Sequence, residues 1–179
     1  MKILFITQLF PYQKGTSNTT GALREFIEQW VEKGHQVKVI RPYFNYEKDS
    51  FPSNPFFQID DKIDVLFIRP FRVPLLKYGF YSHKGILQEL DFRPDVMVCH
   101  HYNSYFLFYR LAKLLNIPLI VGIHMSDIRI SNNILHRWYQ KRVFRHARAF
   151  ACRSHSVRKL FLRQFPDLKE KTFLALSGI

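Results

Sequence analysis

The fold is decided by residues 2–40, which read KILFITQLFPYQKGTSNTTGALREFIEQWVEKGHQVKVI. Two short runs rich in β-branched residues, Ile3–Thr7 and Gln36–Arg41, predict strands. The segment between them, Gly21–Lys33, carries apolar residues at positions i, i+3, i+4 and i+7, which predicts a helix with one apolar stripe. The stripe consists of Leu23, Phe26, Ile27 and Trp30. Gly34 is a typical residue at the C-terminal end of a helix, so this stretch predicts a parallel β-α-β unit.

The same alternation continues to the end of the chain. Five further runs, most of them continuously apolar, read as strands that are covered on both faces: Ile63–Arg69, Asp95–Cys99, Pro118–Ile123, Ala149–Cys152 and Thr172–Leu176. Three further segments have helical spacing: Tyr105–Asn116, Asn133–His146 and Ser156–Phe165. We therefore expect one Rossmann-like, doubly wound domain over residues 1–179, with a mainly parallel sheet of about seven strands in a three-layer α/β/α arrangement. Pro42–Lys62 reads as a long surface loop, and Pro70–Gly85 has no clean period.

Composition restricts the class of protein. The chain has 179 residues with 47% hydrophobic and 23% charged residues, which excludes disordered and fibrous classes. The formal net charge of +13 favours an anionic partner. The two cysteines, Cys99 and Cys152, lie in apolar runs, which indicates buried free thiols in a reducing compartment. No apolar run approaches the length of a membrane span, and we expect a cytoplasmic protein.

Polar residues follow three of the predicted strands. In sheets of this kind, ligands bind beyond the carboxyl ends of the strands. The first strand leads into the loop before Gly21, the fourth into His100 and Asn103, and the fifth into His124 and Asp127. We expect these three loops to face one crevice, which makes their residues a candidate site.

Several motifs, in order along the chain, are similar to those of a known family. They are the opening KILFIT, Asn18–Gly21 before a helix, Pro94–His100, Pro118–His124 followed by Asp127, Ala147–Ser154 and Leu176–Ile179. Together they resemble the N-terminal domain of family 4 glycosyltransferases, which are retaining, nucleotide-sugar-dependent enzymes of the two-domain GT-B fold. The sequence departs from the family pattern in three places: a single Gly21 near the helix start, Arg153 before Ser154, and Ser177 where asparagine is usual.

The resemblance implies a role for each part of the candidate site. His124 would contact the donor sugar and Gly21, with Asn18, would admit its phosphate region. Asp127 would act beside His124 as a second catalytic residue and, with His100 and Asn103, would line the acceptor crevice.

The family's second domain holds most of the nucleotide-sugar site and would begin where this chain stops. We therefore expect the chain to be the acceptor-side domain, to be inactive alone, and to bind no cofactor other than the nucleotide-diphosphate sugar that serves as donor substrate.

Each residue also has a purely structural explanation that the sequence leaves open. Gly21 can be a plain helix entry, His124 a packed core histidine, and Asp127 the cap of the following helix. His100, His101, His124 and Asp127 include enough ligand types for a metal site. However, adjacent strand residues point to opposite sides, so at most one of the adjacent histidines faces His124, and we expect no metal.

The basic residues concentrate in one region. Residues 128–166 contain ten Lys and Arg and no acid, and four of the ten are assigned to one face of a helix: Arg137, Lys141, Arg145 and Arg148. The stretch Pro70–Gly85 has similar chemistry, with Arg72 and Lys77 among aromatic residues and no acid. Basic residues beside Trp and Tyr suit an anionic membrane surface, so we expect peripheral attachment to the inner membrane face. The alternative is that these aromatic residues are core.

Two other functions compete with glycosyl transfer. A dinucleotide-dependent oxidoreductase is disfavoured because no G-x-G-x-x-G follows the first strand and Arg41-Pro42 stand where an acid would bind ribose. A non-enzymatic basic Rossmann-like module that binds an anionic membrane or nucleic acid remains open. We expect no nucleic acid as partner, because the chain has no base-reading motif. The partners implied by the resemblance are the second domain, a nucleotide sugar and a glycan or lipid-linked acceptor.

Overall fold

The computed structural model describes residues 1–10, 21–43, 56–59, 63–69, 71–72, 79–100, 102–128 and 134–175. These residues form two compact units, Met1–Val96 and Met97–Ile179. The strands are β1 (Lys2–Ile6), β2 (Gln36–Pro42), β3 (Phe56–Ile59), β4 (Ile63–Ile68), β5 (Phe71–Arg72), β6 (Gly79–Phe80), β7 (Val96–His100), β8 (Leu119–Ile123), β9 (Ala149–Cys152) and β10 (Thr172–Leu174). The helices are α1 (Gly21–Glu32), α2 (His83–Glu89), α3 (Tyr102–Leu115), α4 (Ile134–His146) and α5 (His155–Gln164), with 3-10 helices at Met125–Ile128 and Pro166–Lys171.

The first unit is built on parallel strands in the order β1-β2-β4, with β3 added antiparallel at the edge of β4. Consecutive residues of β1, such as Phe5 and Ile6, are both buried, and so are Val39 and Ile40 of β2. Burial of both faces is what a continuously apolar parallel strand requires. The predicted first, second and third strands are therefore confirmed.

Helix α1 covers this sheet with the stripe that the sequence indicates. Leu23 and Ile27 are buried, and the Trp30 ring meets the Phe5 ring edge-on with the centroids 5.9 Å apart. Phe26 is 41% exposed and packs on Trp30 at 4.4 Å. The helix ends at Glu32 and is closed by Gly34, whose φ of 81° is in the left-handed region and whose N–H donates to the Val31 carbonyl. The predicted glycine C-cap is confirmed.

The second unit contains four parallel strands in the order β10-β9-β8-β7. Its core is aromatic: the Phe144 ring lies 5.0 to 5.7 Å from four other rings. These belong to Tyr105, Phe150, Phe161 and Phe165. The four parallel strands here and the three of the first unit are the seven that the sequence predicts, so the Rossmann-like α/β fold class is confirmed.

The two stretches without clean periodicity contain more structure than predicted. The interpretation of Pro42–Lys62 as a loop is wrong at β3, which pairs with β4 through Phe56↔Leu66 and Ile59↔Ile63. The stretch Pro70–Gly85 contains the two-residue strands β5 and β6, which pair antiparallel, and the start of α2. The Ser82 side chain caps α2 by accepting from the Gly85 N–H. These short elements depend on pairing and capping, so periodicity does not reveal them.

Cys99 and Cys152 are free and buried, as the sequence predicts. Burial raises the pKa of both thiols, and that of Cys152 reaches about 11 even though the nearby Arg158 charge lowers it. Within the described residues, no helix has the length and apolar character that crossing a membrane requires.

Candidate functional site

Strand register brings two histidines of the candidate site together. His100 ends β7 and is aligned with Gly122 of β8, and His124 follows the last residue of β8. Gly122 and His124 are two positions apart, so they lie on the same side of the extended chain. The His100 and His124 rings meet edge to face with their centroids 4.2 Å apart. Gly122 has no side chain between them, and a Cβ placed there would lie 3.6 Å from His100 Cδ2.

Asp127 fixes the main chain of His124. Its Oδ2 accepts a 2.7 Å hydrogen bond from the His124 N–H, and its own N–H donates to the His124 carbonyl at 3.0 Å. The side-chain bond caps the start of the 3-10 helix 125–128, and the main-chain bond closes its first turn. Asp127 therefore caps the 3-10 helix, as one of the explanations left open by the sequence requires, and it also orients the main chain of His124.

The Asp127 carboxyl is 2% exposed. Burial raises its pKa from 3.8 to about 7, and the hydrogen bond from the His124 N–H opposes this rise. Among the described residues, its second oxygen Oδ1 has no hydrogen-bond partner. A carboxyl with this pKa can hold or release a proton near neutral pH.

Arg153 is a site residue that the sequence reasoning missed. Cys152 of β9 is aligned with Ile123 of β8, so the next residues along each strand, Arg153 and His124, are neighbours. The Arg153 Nη1 lies 3.5 Å from the His124 Nδ1. We call His100, His124, Asp127 and Arg153 the strand-end cluster. The rule that led to His100 and His124, applied to the strand Ala149–Cys152, finds Arg153 as well.

A buried polar pair from two helices lies near Asp127. Tyr105 of α3 is fully buried and Gln140 of α4 is 4% exposed. Burial raises the pKa of Tyr105, the Asp127 charge raises it further, and the nearby Gln140 side chain opposes this rise. The Tyr105 hydroxyl therefore stays protonated at neutral pH. Neither residue stands out in the sequence, because only their position in the fold distinguishes them from core residues.

The remaining predicted residues are placed only in part. Gly21 is the exposed first residue of α1 in the first unit, and a Cβ there would meet nothing within 4 Å. Its predicted place beside the histidines stays a prediction. The backbone places Asn103 in α3, Arg72 in β5 and Arg137 in α4. Asn18, Lys77, His101 and residues 176–179 lie outside the described residues. Among the residues that are described, no group of His, Cys, Asp and Glu is suited to hold a metal ion.

Helix α4 presents a basic face to solvent. Lys141, Arg142 and Arg145 are exposed, and Trp138 is 60% exposed with the Arg142 guanidinium 5.7 Å from its ring centroid. The assignment of Arg148 to this helical face is wrong, because α4 ends at His146. The Arg148 N–H donates to Leu119, since the chain has already turned towards β9, and its side chain is exposed.

The stretch Pro70–Gly85 contributes at least one aromatic residue to the core. Tyr81 is 9% exposed and its hydroxyl donates to the Tyr43 carbonyl at 3.1 Å. Tyr81 also lines an open, mainly apolar pocket of about 240 Å³ between β4 and α2, together with Leu66 and Ile86. The alternative that the aromatic residues of this stretch belong to the core is therefore correct for Tyr81.

Comparison with known proteins agrees with the resemblance in the sequence. The family model for Glycosyltransferase Family 4 matches residues 22–173. No curated protein sequence matches the chain.

Solved structures match the fold over almost all of this chain. Sucrose-phosphate synthase from Thermosynechococcus elongatus is 11% identical, with a TM-score of 0.65, and the match covers 98% of this chain and 48% of that one. Anabaena Alr3699/HepE in complex with UDP and glucose is 14% identical, with a TM-score of 0.62 and coverage of 100% and 45%. The E. coli structure described as trehalose-6-phosphate bound with UDP-2-fluoro glucose is 11% identical, with a TM-score of 0.59 and coverage of 100% and 49%. The chain spans about half the length of these proteins.

Proposed function

Because the chain belongs to Glycosyltransferase Family 4, we propose that it is the acceptor-side domain of an enzyme that transfers a sugar from a nucleotide-diphosphate sugar. The chain is a glycosyltransferase domain of the GT-B type. The proposed acceptor is a glycan or a lipid-linked glycan of polysaccharide or glycolipid assembly, and the proposed stereochemical course is retention. A second, donor-binding domain completes the proposed enzyme. The UDP and glucose found with Anabaena Alr3699/HepE support a nucleotide sugar as the donor.

The observation that carries this proposal is the contact of His100 and His124 at the carboxyl ends of β7 and β8. Ligands of open α/β sheets bind at this end of the strands. Imidazole nitrogens bind sugar hydroxyls and phosphate oxygens through single, directional hydrogen bonds. Asp127 supports this use of His124, because it fixes the His124 main chain from both sides.

In the proposed enzyme, we assign a separate task to each group of predicted site residues. His124 contacts the donor sugar, while His100 and Asn103 line the acceptor side. Gly21 and Asn18 admit the donor phosphates to the start of α1, where free N–H groups and the helix dipole favour an anion. The exposed position of Gly21 and the open space around it are compatible with this approach.

Replacement of His124 by Ala in the full-length protein tests the proposal. With UDP-glucose as the donor probe, we expect the transfer of glucose to the acceptor, measured as released UDP, to fall by about a hundred-fold, because a hydrogen bond to the reacting sugar is lost. The control is His35→Ala, a half-exposed histidine of the first unit outside the strand-end cluster. Unchanged turnover in the His124 variant, or an equal loss in both variants, would contradict the assignment.

The anomeric configuration of the product, read by proton NMR, tests retention.

A membrane-bound location of this enzyme is the second part of the proposal, and the basic face of α4 supports it. Lys141, Arg142 and Arg145 are all exposed beside the exposed ring of Trp138. Each basic group near an anionic bilayer contributes about 1 kcal/mol of attraction, and an indole ring inserts favourably at the interface. The proposed surface is the cytoplasmic face of the inner membrane. The same surface would serve the competing function, a non-enzymatic module that binds anionic membranes.

Charge reversal on α4 tests the membrane surface. We expect Lys141→Glu with Arg145→Glu to weaken flotation with vesicles of anionic lipid more than thirty-fold, because two attractions of about 1 kcal/mol each are replaced by repulsions. The matched control is Lys159→Glu with Arg163→Glu, an exposed basic pair of the same spacing on α5. Equal losses for the two pairs would indicate that net charge alone attracts the vesicles. Tighter binding to RNA than to vesicles would contradict the membrane surface altogether.

A further inference from the structure

Arg153 contacts the His124 ring through a guanidinium group, which can only donate hydrogen bonds. It is half-buried directly after β9, with Nη1 at 3.5 Å from the His124 Nδ1. Among the described residues, no carboxylate forms an ion pair with it. A guanidinium has N–H donors and no acceptor, so the imidazole nitrogen that faces it must provide the lone pair. In a neutral imidazole the single proton then lies on the other nitrogen, Nε2.

We propose that Arg153 is a positioning residue that holds the His124 ring as the Nε2–H tautomer. This inference adds a residue to the proposed site, and its relevance to sugar transfer rests on the proposed function. An imidazole held in this form donates from Nε2 and cannot accept there. The group that His124 binds through Nε2 must therefore offer an acceptor oxygen, such as a sugar hydroxyl or a phosphate oxygen.

The groups around His124 contact different parts of the residue. Asp127, on the 3-10 helix, accepts a hydrogen bond from the His124 main-chain N–H. It therefore fixes the backbone of His124 and does not decide which ring nitrogen carries the proton. The His100 ring, on β7, packs against the imidazole with 83° between the ring planes. Arg153, at the end of β9, is the group whose contact with Nδ1 selects between the tautomers. Arg158 of α5, the helix packed on the 3-10 helix, carries a further positive charge in this region.

The tautomer can be measured directly in the full-length protein labelled with ¹⁵N-histidine. The two ring nitrogens of a neutral histidine have well-separated ¹⁵N shifts that report which of them carries the proton, and the His124→Asn variant assigns the signals. We expect the proton on Nε2 in the wild-type protein. In Arg153→Met, which has a side chain of similar reach and no donor, the ratio of the Nε2–H to the Nδ1–H form should fall about five-fold, the size of one hydrogen bond. Arg153→Lys restores a donor and should return the ratio towards the wild-type value.

Three results would overturn the inference: a proton on Nδ1 in the wild-type protein, the same tautomer ratio in Arg153→Met as in the wild type, or a ratio in Arg153→Lys as low as in Arg153→Met. The wild-type spectrum alone is decisive even when a variant does not fold. Transfer from UDP-glucose is measured on the same proteins. If the tautomers behave as expected but the wild type transfers no sugar, the proposed function fails and the positioning role stands. If the wild type transfers sugar with the proton on Nδ1, the positioning role fails and the proposed function stands.

Discussion

Replacement of Asp127 by Asn should change the pH dependence of stability. The folded-state pKa of about 7 lies above the usual 3.8, because the carboxyl is buried. The stability that Asp127 contributes as a neutral carboxylic acid is therefore fully present below pH 4 and is lost as the pH rises to 7 and above, where the buried group must ionise. Asparagine does not ionise, and its amide oxygen can still accept from the His124 N–H.

The magnitude follows from the shift of about 3 pKa units at about 1.4 kcal/mol each, which is about 4 kcal/mol at pH 8. We expect the free energy of unfolding of Asp127→Asn, relative to the wild type, to increase by about 1.4 kcal/mol per pH unit between pH 5 and 7 and to level off above pH 7. Urea unfolding of both proteins at pH 5, 6, 7 and 8 measures this difference. All other titrating groups are shared and cancel in the comparison.

Asp91 provides a control of the opposite sign. Its side chain is 68% exposed and accepts a 2.8 Å hydrogen bond from the Lys38 ammonium, which lowers its pKa. The stability that Asp91 contributes is present above pH 4 and is lost as the pH falls through its folded-state pKa. Asp91→Asn should therefore show no gain in the free energy of unfolding at alkaline pH.

A difference in the free energy of unfolding between Asp127→Asn and the wild type that stays constant from pH 5 to 8 would refute the burial of the Asp127 carboxyl.

Two further pairs of substitutions test the end of α1 and the core. Gly34→Ala should lower the free energy of unfolding by about 1 kcal/mol, because Gly34 has a φ of 81°. Gly21→Ala, in open space at the start of α1, should leave it unchanged or raise it slightly, and equal effects at both glycines would contradict the cap. Phe144→Ala, at the centre of the aromatic core, should cost about 3–5 kcal/mol in urea unfolding. Phe173→Ala, 44% exposed, should cost less than about 1 kcal/mol, and a similar loss in both would contradict the position of the core.

The parts of the fold that the sequence predicts correctly are those in which burial imposes a period. Parallel strands covered on both faces need uninterrupted apolar runs, and β1 and β8 show them. Helix α2 has only seven residues, of which Ile86 is buried, and it contains Gly85, so its sequence has almost no helical signature. Strand β3 exists because β4 offers an edge for antiparallel pairing, and an edge is a property of the sheet and not of four residues.

The candidate site shows the same division. His100 and His124 were found because the strand-end rule needs only the order of the strands. The role of Asp127 does not follow from the sequence, because a helix cap and a residue that orients His124 would both be an acidic residue at this position. The hydrogen bonds in the structure show that Asp127 does both. The buried pair Tyr105 and Gln140 lies on two helices whose packing the sequence does not specify.

Arg153 is different, because the sequence contains the information that places it. In a parallel sheet, residues at the same register on neighbouring strands share a face and lie about 4.8 Å apart. The alignments His100↔Gly122 and Ile123↔Cys152 extend by this geometry to the positions after each strand. Three adjacent strands therefore end in an imidazole, an imidazole and a guanidinium. Since a guanidinium only donates hydrogen bonds, its placement beside His124 constrains where the imidazole proton can lie. A single register thus determines both which residues meet at this edge and which hydrogen bonds His124 can offer to a substrate.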